Sequence, residues 1–460
     1  MALPPAGTPL GVPTSTPARR LAPVLGVTAV VLLTVSCITP ASTLFIIVPE
    51  LLATQGSGVV LALVLGVVIS VAVGACYAEL GTRSPSSGGE YVMVTSTLGR
   101  TLGWLTFALT AALLVVIPPI IALGTADYLT SIVDLDRSTT GAVVLLLAAA
   151  TAILDIRANA VVTSAFLALE VVTAGVVAGL GFSHAQRPAG TLLHPQALVD
   201  GSLSPFSLAV LVAGLTTSML IVNGFGTASY LAEEMVHPRR DVARAVFWSI
   251  AVGSVVILVP TAAVVLGAGD LTDLRRLTIP DFVTSWAGPG VSAGVSAGIA
   301  VAILNAVIVM VLQNGRVLYA SGRDRAWPSA VNRALSWLHP RFGSPVVATL
   351  VVAVPGAVLA YVADIESLVS VTSVIVAVVY LLLAFAALRV RRRPHRGWKM
   401  PLWPLAPVLV VLALTYAIAQ SASRDLLITG GILLAALVYE VAYLRPRRAT
   451  RFLVDARDDR

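Results

Sequence analysis

Two places in this apolar chain combine small polar residues with helix breakers. In LLTVSCITPASTLF, from Leu32 to Phe45, Thr34, Ser36, Cys37, Thr39, Ser42 and Thr43 surround Pro40. In the second, Asn223-Gly224-Phe225-Gly226-Thr227 interrupts another apolar run. Proline removes a backbone donor and clashes with the preceding helical turn, while glycine weakens helix interiors and tolerates positive φ. In lipid, backbone freed in this way must be satisfied by neighbours or line a cavity. The chemistry on offer is therefore binding by exposed N–H and C=O groups. Nothing points to bond-breaking: no nucleophile–base pair or Walker motif is present, so the chain reads as a non-enzyme without cofactors. The five histidines, His184, His194, His237, His339 and His395, all fall in loops without metal-ligand spacing. Cys37 and Cys76 sit in separate apolar runs and suggest neither a disulfide nor a metal site. One isolated acid, Glu170, lies mid-run in SAFLALEVVTAGVV, where an ionisable group costs about 2.5–3.5 kcal/mol on insertion scales and is functional by default.

The elements that must hold these residues are membrane helices. Of 460 residues, 57% are hydrophobic and 12% charged, against about 25% charged in soluble domains, and mean hydropathy is +0.92. A crossing helix needs about 20 apolar residues. Twelve runs qualify, near 22–48, 58–79, 101–128, 140–155, 159–182, 205–232, 245–268, 290–316, 345–363, 366–388, 403–421 and 426–444, the fourth being short. With the N-terminus in the cytoplasm, 25 of the 30 Lys and Arg residues fall in inside segments, and only Arg137, Arg187, Arg275, Arg276 and Arg424 fall outside. That bias satisfies the positive-inside rule and places both termini in the cytoplasm of a multi-pass plasma-membrane protein. Arg19-Arg20 before an apolar run could be an export signal, but the eleven further runs make it the flank of the first crossing. Continuous apolar runs also argue against barrel strands. Residues 1–20 read as a disordered tail, and RVRRRPHRGWKMP reads as a basic, lipid-facing topogenic loop. Spans one and six hold equivalent positions if spans one to five and six to ten are repeats, and paired interrupted spans are the sequence pointer to a solute site. Pro118-Pro119, Pro260 and Pro355 read as ordinary kinks.

Several separated stretches then carry a family resemblance. YAELGTRSPSSGGEYVMVTSTLGRTLGWL, from Tyr77 to Leu105, GFGTASYLAEEMVHPRRDVARAV after Asn223, and NGRVLYASGRDRAWPSAVNRALSWLHPRFGSPVVA after the eighth span resemble the amino acid–polyamine–organocation transporters. The resemblance implies an all-α integral membrane protein with twelve transmembrane helices. It also implies a LeuT-type 5+5 inverted repeat (21–182 and 205–392), two additional C-terminal helices (400–444) and a cytoplasmic tail (445–460). The implied activity is secondary transport of an amino acid or related amine. Uptake by proton symport leads, an exchanger or a non-transporting sensor on the same fold follow, and oligomeric state stays open. Ala41-Ser42-Thr43 stands where the family's first break often reads Gly-Ser-Gly, Gly226 where a carboxylate is common, and Leu220 where an aromatic is common.

For an α-amino acid, amides near Ala41, Ser42 and Thr43 would open a half-helix whose positive end faces the carboxylate. Carbonyls of Ser36, Cys37 and Ile38, and of Asn223 and Gly224, would accept from the ammonium. Thr39, Pro40, Phe225 and Leu220 complete the expected site. No buried acid or cation is evident beside it, which favours a neutral or modestly polar substrate. Glu170 corresponds to a fifth-span position sometimes linked to proton coupling in the family. A sodium site would draw on Ser292, Ser296 and Asn305. Glu79, Glu90, Glu233 and Glu234 read as an ion network with Arg83, Arg239 and Arg323 at the inner span ends, and Asp127, Asp364 and Glu366 as solvated outer ends.

Overall fold

The computed structural model describes residues 21–129, 135–154, 156–199, 202–362, 365–391 and 397–454. The expected disordered tail, residues 392–396 of the basic loop, Asp364 and the side chains of Asp127 and Glu366 lie outside the described residues. Eight helices are long and apolar enough to cross a membrane, and three shorter apolar ones accompany them. Their backbone polar groups pair within each helix, the solution that hydrocarbon demands.

The first span is two helices. α1 (Val27–Ile38) ends at Thr39, and the chain turns helical again through Pro40–Ser42, a π turn over Thr43–Ile47, and Val48–Gln55, together α2. Then come α3 (Val59–Arg83), a short α4 (Glu90–Leu98), α5 (Arg100–Leu129), α6 (Arg137–Ala152) and α7 (Ile156–Ser183). Asp136 caps α6, accepting from the amide of Thr139 at 2.7 Å. A hairpin follows, β1 (Gln196–Val199) antiparallel to β2 (Ser202–Pro205), with Val199 opposite Ser202. The sixth span is again broken: α8 (Leu208–Leu220), a turn, and α9, a 3₁₀ stretch over Phe225–Glu234. The remainder comprises α10 (Pro238–Gly267), α11 (Ile279–Ala287), α12 (Pro289–Arg323), α13 (Ser329–Leu335), α14 (Val346–Val362), α15 (Ile365–Val390), α16 (Leu405–Ala419) and α17 (Ser423–Tyr439, with a π turn over Glu440–Leu444). The sequence reading runs the first span to residue 48. The helix continues to Gln55, because Pro49 sits in a first helical turn where proline is tolerated. It contains no hairpin either, although Asp200-Gly201 between alternating residues is a hairpin-turn signal.

Counted along the twelve apolar runs, each of the first four packs on the run five later: α1 lies on α9, α3 on α10, α5 on α12 and α6 on α14. Pro118, Pro119, Pro260 and Pro355 all lie inside continuous helices, whereas Pro40 opens one. Ahead of α1 the chain pairs with the end of α9. The amides of Val24 and Leu25 both donate to the carbonyl of Glu234 at 2.8 Å, and the amide of Val236 donates to the carbonyl of Leu25 at 3.1 Å.

Candidate functional site

The break in the first span is centred on Thr39, which adopts φ 56°, ψ 56°. That left-handed conformation is costly for a β-branched residue and marks a position fixed by its surroundings. Pro40 then occupies the first position of α2, where its missing N–H costs nothing. It leaves the carbonyl of Ser36 without the donor a continuous helix would supply. The next amide, of Ala41, donates 2.7 Å to Oε1 of Glu170 in α7. A carboxylate at a helix N-terminus is stabilised by orphan amides and the helix dipole together. Glu170 is fully buried, and its other oxygen, Oε2, has no hydrogen-bond partner.

The sixth-span break centres on Gly224, at φ 111°. A Cβ there would lie 3.1 Å from the carbonyl oxygen of Cys37 and 3.2 Å from the amide nitrogen of Ile38. The two broken spans therefore meet backbone to backbone, a distance only glycine permits. Asn223 holds the turn: its Oδ1 accepts from the Gly224 amide at 2.8 Å and from the Tyr380 hydroxyl at 2.5 Å. Thr227 Oγ1 donates to the Gly224 carbonyl at 2.6 Å.

A cavity of about 100 Å³ opens beside this junction. Cys37, Asn223, Gly224, Gly226 and Thr227 line it from the breaks, Leu113, Leu114 and Ile117 from α5, Met310 and Asn314 from α12, and Val376, Val379 and Tyr380 from α15. Tyr77, Glu90, Thr110 and Tyr230 complete its wall. Glu90 is 4% exposed, and its Oε1 accepts from Tyr77 Oη at 2.7 Å and Tyr230 Oη at 2.9 Å. The expectation of a pocket without a buried acid therefore fails. Glu90 opens α4, which packs on α5 and α15 and buries its first residues, so Glu90 bonds two tyrosines in place of the ion network assigned to it from sequence. Its signal was the SSGGEY stretch, where Gly89 at φ 62° lets the chain turn sharply into α4.

Of the residues named from sequence, the cavity gathers Cys37, Asn223, Gly224 and Gly226. Ser36, Ile38, Thr39, Pro40, Ala41, Ser42 and Thr43 are buried behind it. The proposed trio of free amides is largely committed: Ala41 donates to Glu170, and Thr43 donates to the carbonyl of Thr39 at 2.9 Å. Phe225 faces a second, smaller cavity of about 40 Å³ on the far side of Tyr380. The side chain of Leu220 lies outside the described residues. Among the sodium candidates, Ser292 donates to the Pro280 carbonyl and Asn305 donates through Nδ2 to Ser36 Oγ at 3.1 Å. No group of three or more His, Cys, Asp or Glu able to hold a metal occurs among the described residues.

Tyr77 fills the space beside Gly226. A Cβ at 226 would fall 2.5 Å from ring carbons of Tyr77, whose ring is wedged at 5.7 and 5.8 Å from those of Phe225 and Tyr380. Gly226→Ala is expected to cost about 1–3 kcal/mol by overpacking and to abolish substrate binding. Thermal melting and a binding assay on the purified variant check it; wild-type melting with wild-type binding would contradict it.

At the face carrying the arginine-rich loops, ion pairs close the bundle. Arg316 pairs with Glu234 at 2.9 Å, Arg323 with Glu233, and Arg391 with Glu79 at 3.0 Å. Arg83 Nη1 donates to the Val390 carbonyl at 2.9 Å. Asp324 accepts from Tyr91 Oη at 2.7 Å, and burial pushes its carboxyl up to about 6 against the opposing pull of Arg323.

The chain has recognisable relatives. Residues 25–437 match the model of the family described as amino acid permease. An uncharacterized transporter of Mycobacterium tuberculosis is 29% identical over 382 residues, covering 80% of each chain. The human cationic amino acid transporter 4 is 25% identical over 346 residues, 68% of this chain and 51% of that protein. The branched-chain amino acid permease BcaP of Bacillus subtilis is 25% identical over 194 residues, 41% of each. The chain spans about half the length of the cationic amino acid transporters it matches. A family match across most of the length, on an all-α multi-pass scaffold whose two broken spans meet at a cavity, leads to one conclusion: the chain belongs to the amino acid permease family.

Proposed function

We propose that the protein is a secondary transporter that moves an amino acid or related amine across the plasma membrane by alternating access, coupled to proton uptake. The observation that carries this reading is the junction of the broken spans, where Gly224 meets the Cys37 carbonyl beside a cavity lined by both. The α-ammonium is held by carbonyls left without helical donors at the two breaks. Twelve crossings support it, once the broken sixth span joins the eleven apolar helices. Packing of the first four apolar runs on the runs five later supports a 5+5 inverted repeat with α16 and α17 appended. The 25-to-5 distribution of basic residues supports cytoplasmic termini. Proton coupling is supported by Glu170, which ties the fifth span to the first break with one oxygen and keeps a buried, unpartnered second oxygen for a proton.

The test is uptake into liposomes by purified protein, against a panel of amino acids and amines, with imposed proton or sodium gradients. Saturable accumulation driven by the proton gradient is expected. Transport only against a counter-substrate would make the protein an exchanger, and absence of any saturable binding would overturn the reading.

A further inference from the structure

Beyond α17 the chain folds back onto the arginine-rich face. From Arg445 to Thr450 every residue is exposed, yet Phe452 is only 2% exposed. Its ring sits 5.8 Å from that of Tyr91 in α4 and 5.5 Å from that of Trp104 in α5, with the Arg100 guanidinium 5.8 Å over its face. Two backbone bonds seat it. The Phe452 amide donates to the Arg325 carbonyl at 3.1 Å, and the Leu453 amide donates to the Asp324 carbonyl at 2.7 Å. Arg100 donates to the carbonyls of Arg448 and Arg451 at 2.7 Å each. Arg451 in turn donates to the Trp327 carbonyl at 2.8 Å and to Ser329 Oγ at 2.9 Å.

This socket is wired to the closure of the bundle. Asp324 is gripped twice, by Leu453 on its carbonyl and by Tyr91 Oη on its carboxylate. Tyr91 follows Glu90, so the Phe452 ring packs on the neighbour of a residue that walls the cavity. The loop leading into α4 reaches the foot of α9: Ser86 Oγ and the Ser87 amide both donate to Glu233 Oε1 at 3.1 Å, and Glu233 pairs with Arg323. The seat is also releasable. Phe452 at φ 48° and Arg325 at φ 58° are both left-handed, which is costly for any residue with a side chain. A segment with one fully buried side chain among exposed neighbours belongs to the part of a fold that opens locally without global unfolding.

We propose that residues 445–454 form an autoinhibitory strap. With Phe452 seated, α4 and the turn between α12 and α13 stay clamped against the foot of α9, and the arginine-rich face stays closed. The strap leaves its socket before that face opens. It lies outside the solute site and governs access to it, which goes beyond the transport reading.

The experiment follows opening without any substrate. Ser87→Cys places a thiol at a fully buried position beside Glu233, and its labelling by a water-soluble maleimide is timed in the purified full chain. Cys37 and Cys76 are buried, and each chain without Ser87→Cys serves as the blank. Phe452→Ala empties the socket. Leu453→Pro keeps the ring but removes the N–H that donates to Asp324. In both, labelling should quicken about tenfold or more, a shift well within what one buried phenylalanine contributes. Phe452→Leu, which refills most of the socket, should label near the wild-type rate, and all three should keep a cooperative melt. Unchanged labelling in either Phe452→Ala or Leu453→Pro, in protein that melts cooperatively, overturns the proposal. Loss of the cooperative melt in both also overturns it, since the segment is then part of the core. Should Phe452→Ala alone fail to fold, Leu453→Pro decides. Because no substrate takes part, failure here leaves the transport reading standing.

Discussion

Glu234→Ala will destabilise the protein by about 3–5 kcal/mol, the largest loss we expect from any single truncation outside the cavity. Arg316 Nε lies 2.9 Å from Glu234 Oε2, Nη2 lies 3.3 Å from Oε1, and Nη1 donates to the Leu312 carbonyl at 2.9 Å. Arg316 is 1% exposed, so removing the glutamate strands a guanidinium in the interior. The pair itself is not the source of stability. Desolvating two ions offsets most of their attraction, and replacing both with apolar residues of similar volume is often neutral or stabilising. Glu234→Leu combined with Arg316→Met should therefore recover most of the loss. Thermal melting of the two variants in the same detergent checks this. A Glu234→Ala melt matching the wild type, or a double variant no better than the single one, would show that the pair is not buried as described.

The second large effect is functional. Glu170→Gln keeps an oxygen for the Ala41 amide and removes the ability to carry a proton. We expect the variant to fold and to exchange substrate, while its accumulation driven by a proton gradient falls about tenfold or more, as for loss of a group worth at least 1.4 kcal/mol of coupling. Glu170→Leu differs: it leaves the Ala41 N–H buried without an acceptor, at about 1–3 kcal/mol, so melting should drop as well. Proton flux and substrate uptake recorded together in liposomes separate the two variants. Undiminished coupling in Glu170→Gln would remove the glutamate from the mechanism.

The helices were legible because lipid leaves little choice. A run such as Val59–Arg83 can satisfy its backbone only as a helix, so its extent follows from where apolarity stops. Both broken spans were legible for the same reason, since proline and paired glycines are the residues that free backbone groups. The partners of those groups were not. Ala41 meets a carboxylate 129 residues away, and no local pattern records that contact. Glu90 misled because an acid at the end of an apolar run ordinarily faces water. Here the short helix it opens packs on α5 and α15, and two tyrosines from α3 and α9 take the place of solvent. Glu234, by contrast, was grouped with Arg83, Arg239 and Arg323, and it does pair with an arginine, but with Arg316, two turns back inside α12.

The backbone ladder joining Leu25 to the end of α9 has a mechanical meaning. Three main-chain bonds tie the root of the first broken helix to the foot of the other. Neither can swing alone without stripping them, and side-chain substitution cannot weaken them directly. The two half-helices that flank the cavity are thus yoked at their feet. The backbone breaks at Thr39 and Gly224 lie outside the yoke. In the alternating-access cycle proposed above, opening toward the arginine-rich face would carry both feet outward together, breaking Arg316–Glu234 and Arg323–Glu233 in the same stroke.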